Sequence, residues 1–391
     1  MRAARTISLT LLCALLALLA GLWLGGHPER LPEPLREVFV DDYDATRAEL
    51  IETIEQNFYR EVDLDDLEEA SLKGIVESLG DRYSHYFTPE ETAALQESLD
   101  GEFEGVGMTV DESDEGLLVV SVFDDSPAER AGIRPDDVIV RVDGRPLRGV
   151  PVDVATARIK GEAGTTVRLT VLRPDTGRQR TLTVRRERIA VPLTDARLRR
   201  VGGEPVGVVA LSSFSSGAHA QVREEVERLL RRGAKGIVLD LRDNGGGLLQ
   251  EGVLVASVFI DEGVIVSTDG RSRPRRVFEA RGDAIDEDVP MVVLVNRGTA
   301  SAAEIVAGAL RDHRRATVVG TPTFGKGVFQ EVEPLDNGGA LDLTVGQYFL
   351  PKGDNLTDNG IRPQVRARDL PRTRRDEAMA VALETLRGKL R

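Results

Sequence analysis

Three short segments hold residue types whose spacing could support acyl transfer. The first, Asn296–Ile305 (N-R-G-T-A-S-A-A-E-I), follows an apolar run at 291–295 and reads as the opening of a helix, which puts Ser301 at a strand–turn–helix junction. Backbone amides and the helix dipole at such a junction favour the negative charge that develops when a hydroxyl attacks a carbonyl. The same Ser301-Ala302-Ala303-Glu304 also spells a capping box, a structural use of the serine. The second segment, Thr323–Gln330 (T-F-G-K-G-V-F-Q), flanks Lys326 with glycines, as a surface turn also would. On an extended chain Lys326, Val328 and Gln330 point the same way, so the Gln330 amide is placed to orient the Lys326 amine. A lysine acts as general base only when neutral, which requires its pKa to fall from ~10.4 toward ~7–8 on burial. Arginine could not do this. The chain uses 6 lysines against 45 arginines, so a lysine inside a motif is informative. The third segment, Asp240–Leu249 (D-L-R-D-N-G-G-G-L-L), places three glycines after a buried strand. An amide of Gly246 or Gly247 could there join that of Ala302 as an oxyanion hole, a plain turn being the simpler alternative. A phosphate-cradling loop is disfavoured because no G-x-x-x-x-G-K-[ST] is present.

The elements around these segments set the architecture. From about Ile189 to Ala367 apolar strands alternate with helical patterns: V-G-V-V-A-L at 206–211, a helix at 218–232, G-I-V-L-D-L at 236–241, a helix near 249–258, M-V-V-L-V at 291–295 and a helix at about 301–311. Buried strands interleaved with helices predict an α/β core. Residues 98–188 are β-rich instead, with runs at 105–110, 117–122, 136–142, 167–172 and 179–184 and one helix over Val152–Ile159. That order, with G-V-G-M at 105–108, S-P-A-E-R-A-G-I at 126–133 and V-D-G at 142–144, resembles a bacterial PDZ domain. In such a domain the Gly105, Val106, Gly107 and Met108 amides would hold a terminal carboxylate while the strand edge pairs with an extended tail. Before it, Leu35 to about Leu99 is helical and acidic, with a further helix start predicted at Pro89 after Thr88. An amphipathic helix is predicted over Asp376–Leu390.

Composition removes several chemistries. The single cysteine, Cys13, excludes an intramolecular disulfide and a thiol nucleophile, and its Leu12 neighbour argues against lipidation. The four histidines are scattered without zinc-site spacing, so no metal and no cofactor are expected. Net charge is −14, and residues 27–104 hold 23 acidic residues against 6 basic ones, which makes nucleic acid an improbable partner. Two arginines precede an apolar run at Ile7–Gly26, about 20 residues and long enough to cross a ~30 Å hydrocarbon core. With no clean cleavage site, this predicts an uncleaved anchor in the cytoplasmic membrane with the bulk of the chain outside the cytoplasm; secretion after signal cleavage is the alternative.

Together the segments resemble the carboxyl-terminal processing peptidase family from about residue 35 onward. Ser301, a lysine 25 residues later at 326 and a glutamine four beyond at 330 hold the family's spacing, and Y-F-L-P-K-G-D-N-L-T-D-N-G-I-R-P at 348–363 matches its substrate-groove region. Departures are Ala303 where serine is common, Gly245 where proline is common, and Lys160 where an arginine before Gly161 is thought to couple peptide binding to catalysis. The resemblance implies a multidomain α/β protein: a signal or anchor at 1–26, a helical region at 27–97, an inserted PDZ domain at 98–188 whose peptide contacts include Lys160, a crotonase-like protease core at 189–367 and a carboxyl-terminal helix at 368–391. It further implies an ATP-independent serine endopeptidase with a Ser301–Lys326 pair, protein substrates taken by their carboxyl-terminal tails, a homodimer built with helical arms at both ends, and an adaptor of unknown identity. A trypsin-like envelope protease would need G-[DN]-S-G-G, which is absent, and a PDZ scaffold without catalysis would not need Lys326 and Gln330 at this spacing.

Overall fold

The computed structural model describes residues 42–370, 373 and 375–390; the expected anchor at 7–26 lies outside the described residues. No helix among the described residues is long and apolar enough to cross a membrane. The chain divides into two compact units, Met1–Tyr86 and Phe87–Arg391.

The first unit contains the helices Asp42–Asn57 and Leu64–Glu77. Asp63 caps the second by accepting from the Asp65 N–H at 3.0 Å, and Asp65 and Asp66 place further negative charge at the positive end of the dipole. Leu50, Phe58, Tyr59, Ile75 and Leu79 stay exposed on these helices and the turns that follow them.

The second unit opens with the helix Pro89–Asp100, whose start matches the expectation. Thr88 Oγ1 accepts from Glu91 N–H, and the Glu91 carboxylate accepts from Thr88 N–H, closing a capping box. The chain then enters a β-rich domain along Glu102–Gly105 and leaves it along Glu187–Ala190. These two segments pair antiparallel, with Glu102 opposite Ala190 and Gly105 opposite Glu187. Between them the sheet order is Met108–Ser113, Gly116–Val122, Val138–Val142, Thr166–Arg173, Arg178–Arg185, which leaves Met108–Ser113 at an edge. Inward residues Leu117, Val119, Ile139, Val167 and Leu169 make its separate core. The continuous strand expected over 105–110 is interrupted. Gly107 turns the chain at φ +81°, where a Cβ would come within 2.4 Å of Ser126 Cβ, and the strand resumes at Met108.

The α/β core carries a six-stranded sheet in the order Thr194–Val201, Glu204–Leu211, Ile237–Asp240, Met291–Val295, Thr317–Gly320, Val365–Arg366. The first pair is an antiparallel hairpin and the remaining pairings are parallel. Ile237–Asp240 and Met291–Val295 are buried at every position because both faces of the sheet are covered. Helices Ala218–Arg231, Leu249–Ser257 and Ala302–Asp312 cover one face. Phe214 and Phe259 are fully buried there, each worth roughly 1.5–3 kcal/mol of transfer free energy. On the other face Ala378, Met379, Ala382 and Leu386 of the helix Glu377–Arg387 pack on Val238, Val292, Leu294 and Val319. This corrects the expectation of a carboxyl-terminal arm, since the apolar stripe of that helix is consumed inside its own chain. Arg242 fastens the helix, binding both Asp240 and Asp376.

A second, antiparallel sheet was not anticipated. Its strands Val328–Pro334, Ala340–Phe349, Val264–Gly270 and Arg273–Glu279 lie side by side in that order. They wall the cavity described next.

Candidate active site

The turn after Met291–Val295 is fixed from the neighbouring loop. Asn296 Oδ1 accepts from the N–H groups of Asp243 and Gly298, each at 2.9 Å, and its Nδ2 donates to Asp243 Oδ1 at 2.9 Å. Thr299 Oγ1 donates to the Leu241 carbonyl, and the Ala300 N–H to that of Asn244. The chain leaves this turn with Ser301 at φ +55°, ψ −121°, a sparsely populated conformation costing on the order of 1–3 kcal/mol that the surrounding bonds hold in place. Ser301 is 6% exposed and heads the helix Ala302–Asp312.

Glu304 was legible only as a helix cap, and it does more. Its carboxylate is fully buried and accepts from the Ser301 N–H at 3.0 Å and the Lys326 N–H at 2.9 Å on one oxygen. The other oxygen accepts from the Gly325 N–H at 2.8 Å and the Thr323 hydroxyl at 2.5 Å. One side chain thus clamps the backbone of the serine segment to that of the lysine segment. The glycines flanking Lys326 have a packing reason. A Cβ at Gly327 would lie 2.3 Å from the Thr357 nitrogen, so only glycine lets this segment rest on the 355–360 loop.

Ser301, Lys326 and Gln330 all line one cavity of about 540 Å³. Gln330 Nε2 donates to Thr344 Oγ1 at 3.0 Å, which fixes the amide from the neighbouring strand. Gly247 lines the same cavity, and apolar wall comes from Leu95, Leu99, Leu248, Phe278 and Phe329. Gly246 packs directly behind the serine, where a Cβ would sit 2.8 Å from Ser301 Cβ and 3.0 Å from the Ala302 nitrogen. Its own N–H, however, donates to the buried Asn244 Oδ1 at 2.9 Å, so Gly246 is removed from the expected oxyanion donors. The Gly247 and Ala302 N–H groups have no partner among the described residues.

Tyr348 is the residue that sequence reasoning missed. Its hydroxyl lies beside the Ser301 side chain, and burial pushes its pKa up to about 12, the serine hydroxyl opposing and the Asp342 charge adding to the rise. It therefore stays a neutral phenol at physiological pH. Its position in Y-F-L-P-K-G was legible as groove sequence, but the long-range strand pairing that aims it at Ser301 was not.

In the β-rich domain the carbonyls of Val106 and Gly107 accept from Ala128 and Phe123, while the Val106 and Gly107 N–H groups have no partner among the described residues. Gly105 ends the entry strand and Met108 begins the edge strand opposite Val122. Lys160 lies next to Gly105, but its ammonium pairs with Glu97 and sits 5.3 Å from the Phe103 ring centroid. No group of three or more His, Cys, Asp or Glu side chains able to hold a metal ion occurs among the described residues.

Residues 205–367 match peptidase family S41 and residues 96–172 match the PDZ domain. The carboxy-terminal processing protease CtpA of Bacillus subtilis is 36% identical over 321 residues, covering 82% of this chain and 68% of that protein. A Staphylococcus haemolyticus protein described as a CtpA-like serine protease is 34% identical over 80% of this chain and 62% of its own, so the chain spans about two thirds of the length of these relatives. A solved structure described as an S41 protease of Bacteroides fragilis, 18% identical, covers 85% of this chain and 91% of that one with a TM-score of 0.50, a likeness of fold.

Proposed function

Because the chain belongs to peptidase family S41 and is a carboxy-terminal processing serine protease with a PDZ domain, we propose that Ser301 is its nucleophile and Lys326 its general base. The observation that carries this reading is the shared cavity. Ser301 and Lys326 line it together, and the Glu304 carboxylate binds both of their backbone amides. The neutral Lys326 amine takes the Ser301 hydroxyl proton as Oγ attacks the peptide carbonyl. The Gly247 and Ala302 N–H groups receive the oxyanion, the amine returns the proton to the leaving nitrogen, and water then hydrolyses the acyl-enzyme. Gln330, held by Thr344, orients the amine.

Substrates are protein tails. The free Val106 and Gly107 amides receive the terminal carboxylate, with Gly105 and Met108 framing the turn, and the tail adds to the edge strand Met108–Ser113. Lys160 bears on the tail through its stem beside Gly105. Intact-mass spectrometry of a folded protein bearing an unstructured apolar tail tests the reading. Loss of tail fragments without added nucleotide is the expected result, and an uncut substrate that nevertheless binds would leave a tail-binding scaffold instead.

The two arginines and apolar run at 1–26 support an exported enzyme with an uncleaved amino-terminal anchor. Protease added outside intact spheroplasts should digest the chain beyond residue 30; full protection would contradict export. Exposed Leu50, Phe58, Tyr59, Ile75 and Leu79 support a homodimer closed through the helices of the first unit.

A further inference from the structure

We infer that Arg276 is a specificity-determining residue of this cavity, recognising a carboxylate carried by the substrate within about three residues of the scissile bond; the inference rests on the proteolytic reading above. In the antiparallel sheet Arg276 stands opposite Thr268, and Thr268 opposite Tyr348. Residues directly opposite on paired strands project from one face, so the three form a row that ends at the tyrosine beside Ser301. Two strand spacings of ~4.8 Å put the Arg276 backbone about 10 Å from that of Tyr348. An extended peptide covers this distance in about three residues. The row faces the cavity, since Arg276, Thr268 and Tyr348 all line it, as do Pro274 and Phe278 at the alternate positions beside Arg276.

The charge pattern gives this arginine a ligand chemistry. Its neighbour Arg273 is already committed to Glu331, donating through Nε at 2.8 Å and through its terminal nitrogen at 2.5 Å. Glu331 is held below the usual carboxylate range first by that bond and only as a minor contribution by the Arg276 charge. Arg276 is exposed, and its side chain makes no hydrogen bond or ion pair among the described residues. The cleft's other charged lining residues are Arg273, Lys326, Glu331 and Asp342, and Arg273 and Glu331 satisfy each other. The Arg276 guanidinium presents a planar fork that fits a carboxylate with two parallel hydrogen bonds. On a peptide that carboxylate is either an Asp or Glu side chain or the free carboxyl terminus itself.

Two pairs of otherwise identical apolar peptides separate the sources. The first pair carries Glu or Gln within three residues of the cut and an amidated end; the second carries Gln with a free or an amidated end. Cleavage is read as kcat/KM with the full chain, and binding by fluorescence anisotropy on the full chain with Ser301→Ala. The wild-type residue should favour the carboxylate member of one pair about tenfold, the size of a charge-assisted hydrogen bond at a partly exposed site. Arg276→Gln should bring that ratio near one and Arg276→Glu should invert it, and the pair that responds names the source. A ratio unchanged by both substitutions, or no preference in either pair, overturns the assignment. Should the peptides bind with an Arg276-dependent preference while none is cut, the proteolytic reading fails and the carboxylate site stands.

Discussion

Ser301→Ala should abolish tail cleavage, with a fall in kcat on the order of 10⁴-fold or more, while leaving the fold nearly untouched. The structure makes this a clean substitution. Both bonds that fix the helix entrance use main-chain atoms of residue 301, the N–H to Glu304 and the carbonyl to the Ile305 N–H, and alanine keeps them. Alanine also suffers no more than serine at φ +55°, because each carries one Cβ. The side-chain contact that is lost is the one to the Tyr348 hydroxyl. A serine present merely as a cap predicts the opposite pattern, a stability loss of ~1 kcal/mol with cleavage retained in the cold. Thermal melting and mass-spectrometric tail clipping on the same preparation separate the two. Full proteolysis by the alanine variant would remove Ser301 as nucleophile.

For Lys326→Arg the expected loss is ~10²–10⁴ in rate with the protein folded and still binding carboxyl-terminal peptides at Gly105–Met108. The Glu304 clamp holds the Lys326 backbone N–H, so the segment stays anchored when the side chain changes. A guanidinium keeps a positive charge in the cavity but remains protonated at every pH the enzyme meets, so it repairs an electrostatic role and not a base. The wild type should show activity rising with pH as the lysine loses its proton. Tyr348, whose hydroxyl lies beside Ser301, is pushed up to about 12 and remains protonated across that limb, so a rise near neutrality is not its titration. An arginine enzyme that cuts within about threefold of wild type, less than the smallest general-base effect, would show that Lys326 is not the base.

What was legible in the chain is what lies close together along it. Lys326 and Gln330 sit only four residues apart, so their spacing sufficed, although the strand begins at Val328 and a register irregularity between Phe329 and Gln330 breaks the expected alternation. Met291–Val295 likewise announces the helix headed by Ser301. The buried parallel strands were equally plain because covering on both faces leaves them continuously apolar. The second sheet was hidden by its composition. Arg273–Glu279 (R-P-R-R-V-F-E) carries charge at most positions. Although it pairs with the adjacent Val264–Gly270, the pairing that joins this hairpin to Ala340–Phe349, Thr268 opposite Tyr348, spans a long stretch of sequence. Gly246 was misjudged for a related reason. Three glycines in a row advertise open amides, but a neighbouring asparagine side chain occupies one of them, and side-chain competition for backbone donors leaves no mark on spacing.

The paired entry and exit strands at Glu102–Gly105 and Glu187–Ala190 give the PDZ lobe a particular kind of joint. Two chain crossings held one strand spacing apart, ~4.8 Å, make a single stalk in place of two independent tethers, and the Lys160–Glu97 pair braces the lobe from beside it. It is also a cassette. Everything between Gly105 and Glu187 is bounded by one ladder whose rungs lie outside both the lobe's own core and that of the α/β sheet. A lobe that reads different tails could be exchanged at that ladder while the serine turn, the lysine segment and the Glu304 clamp keep their geometry.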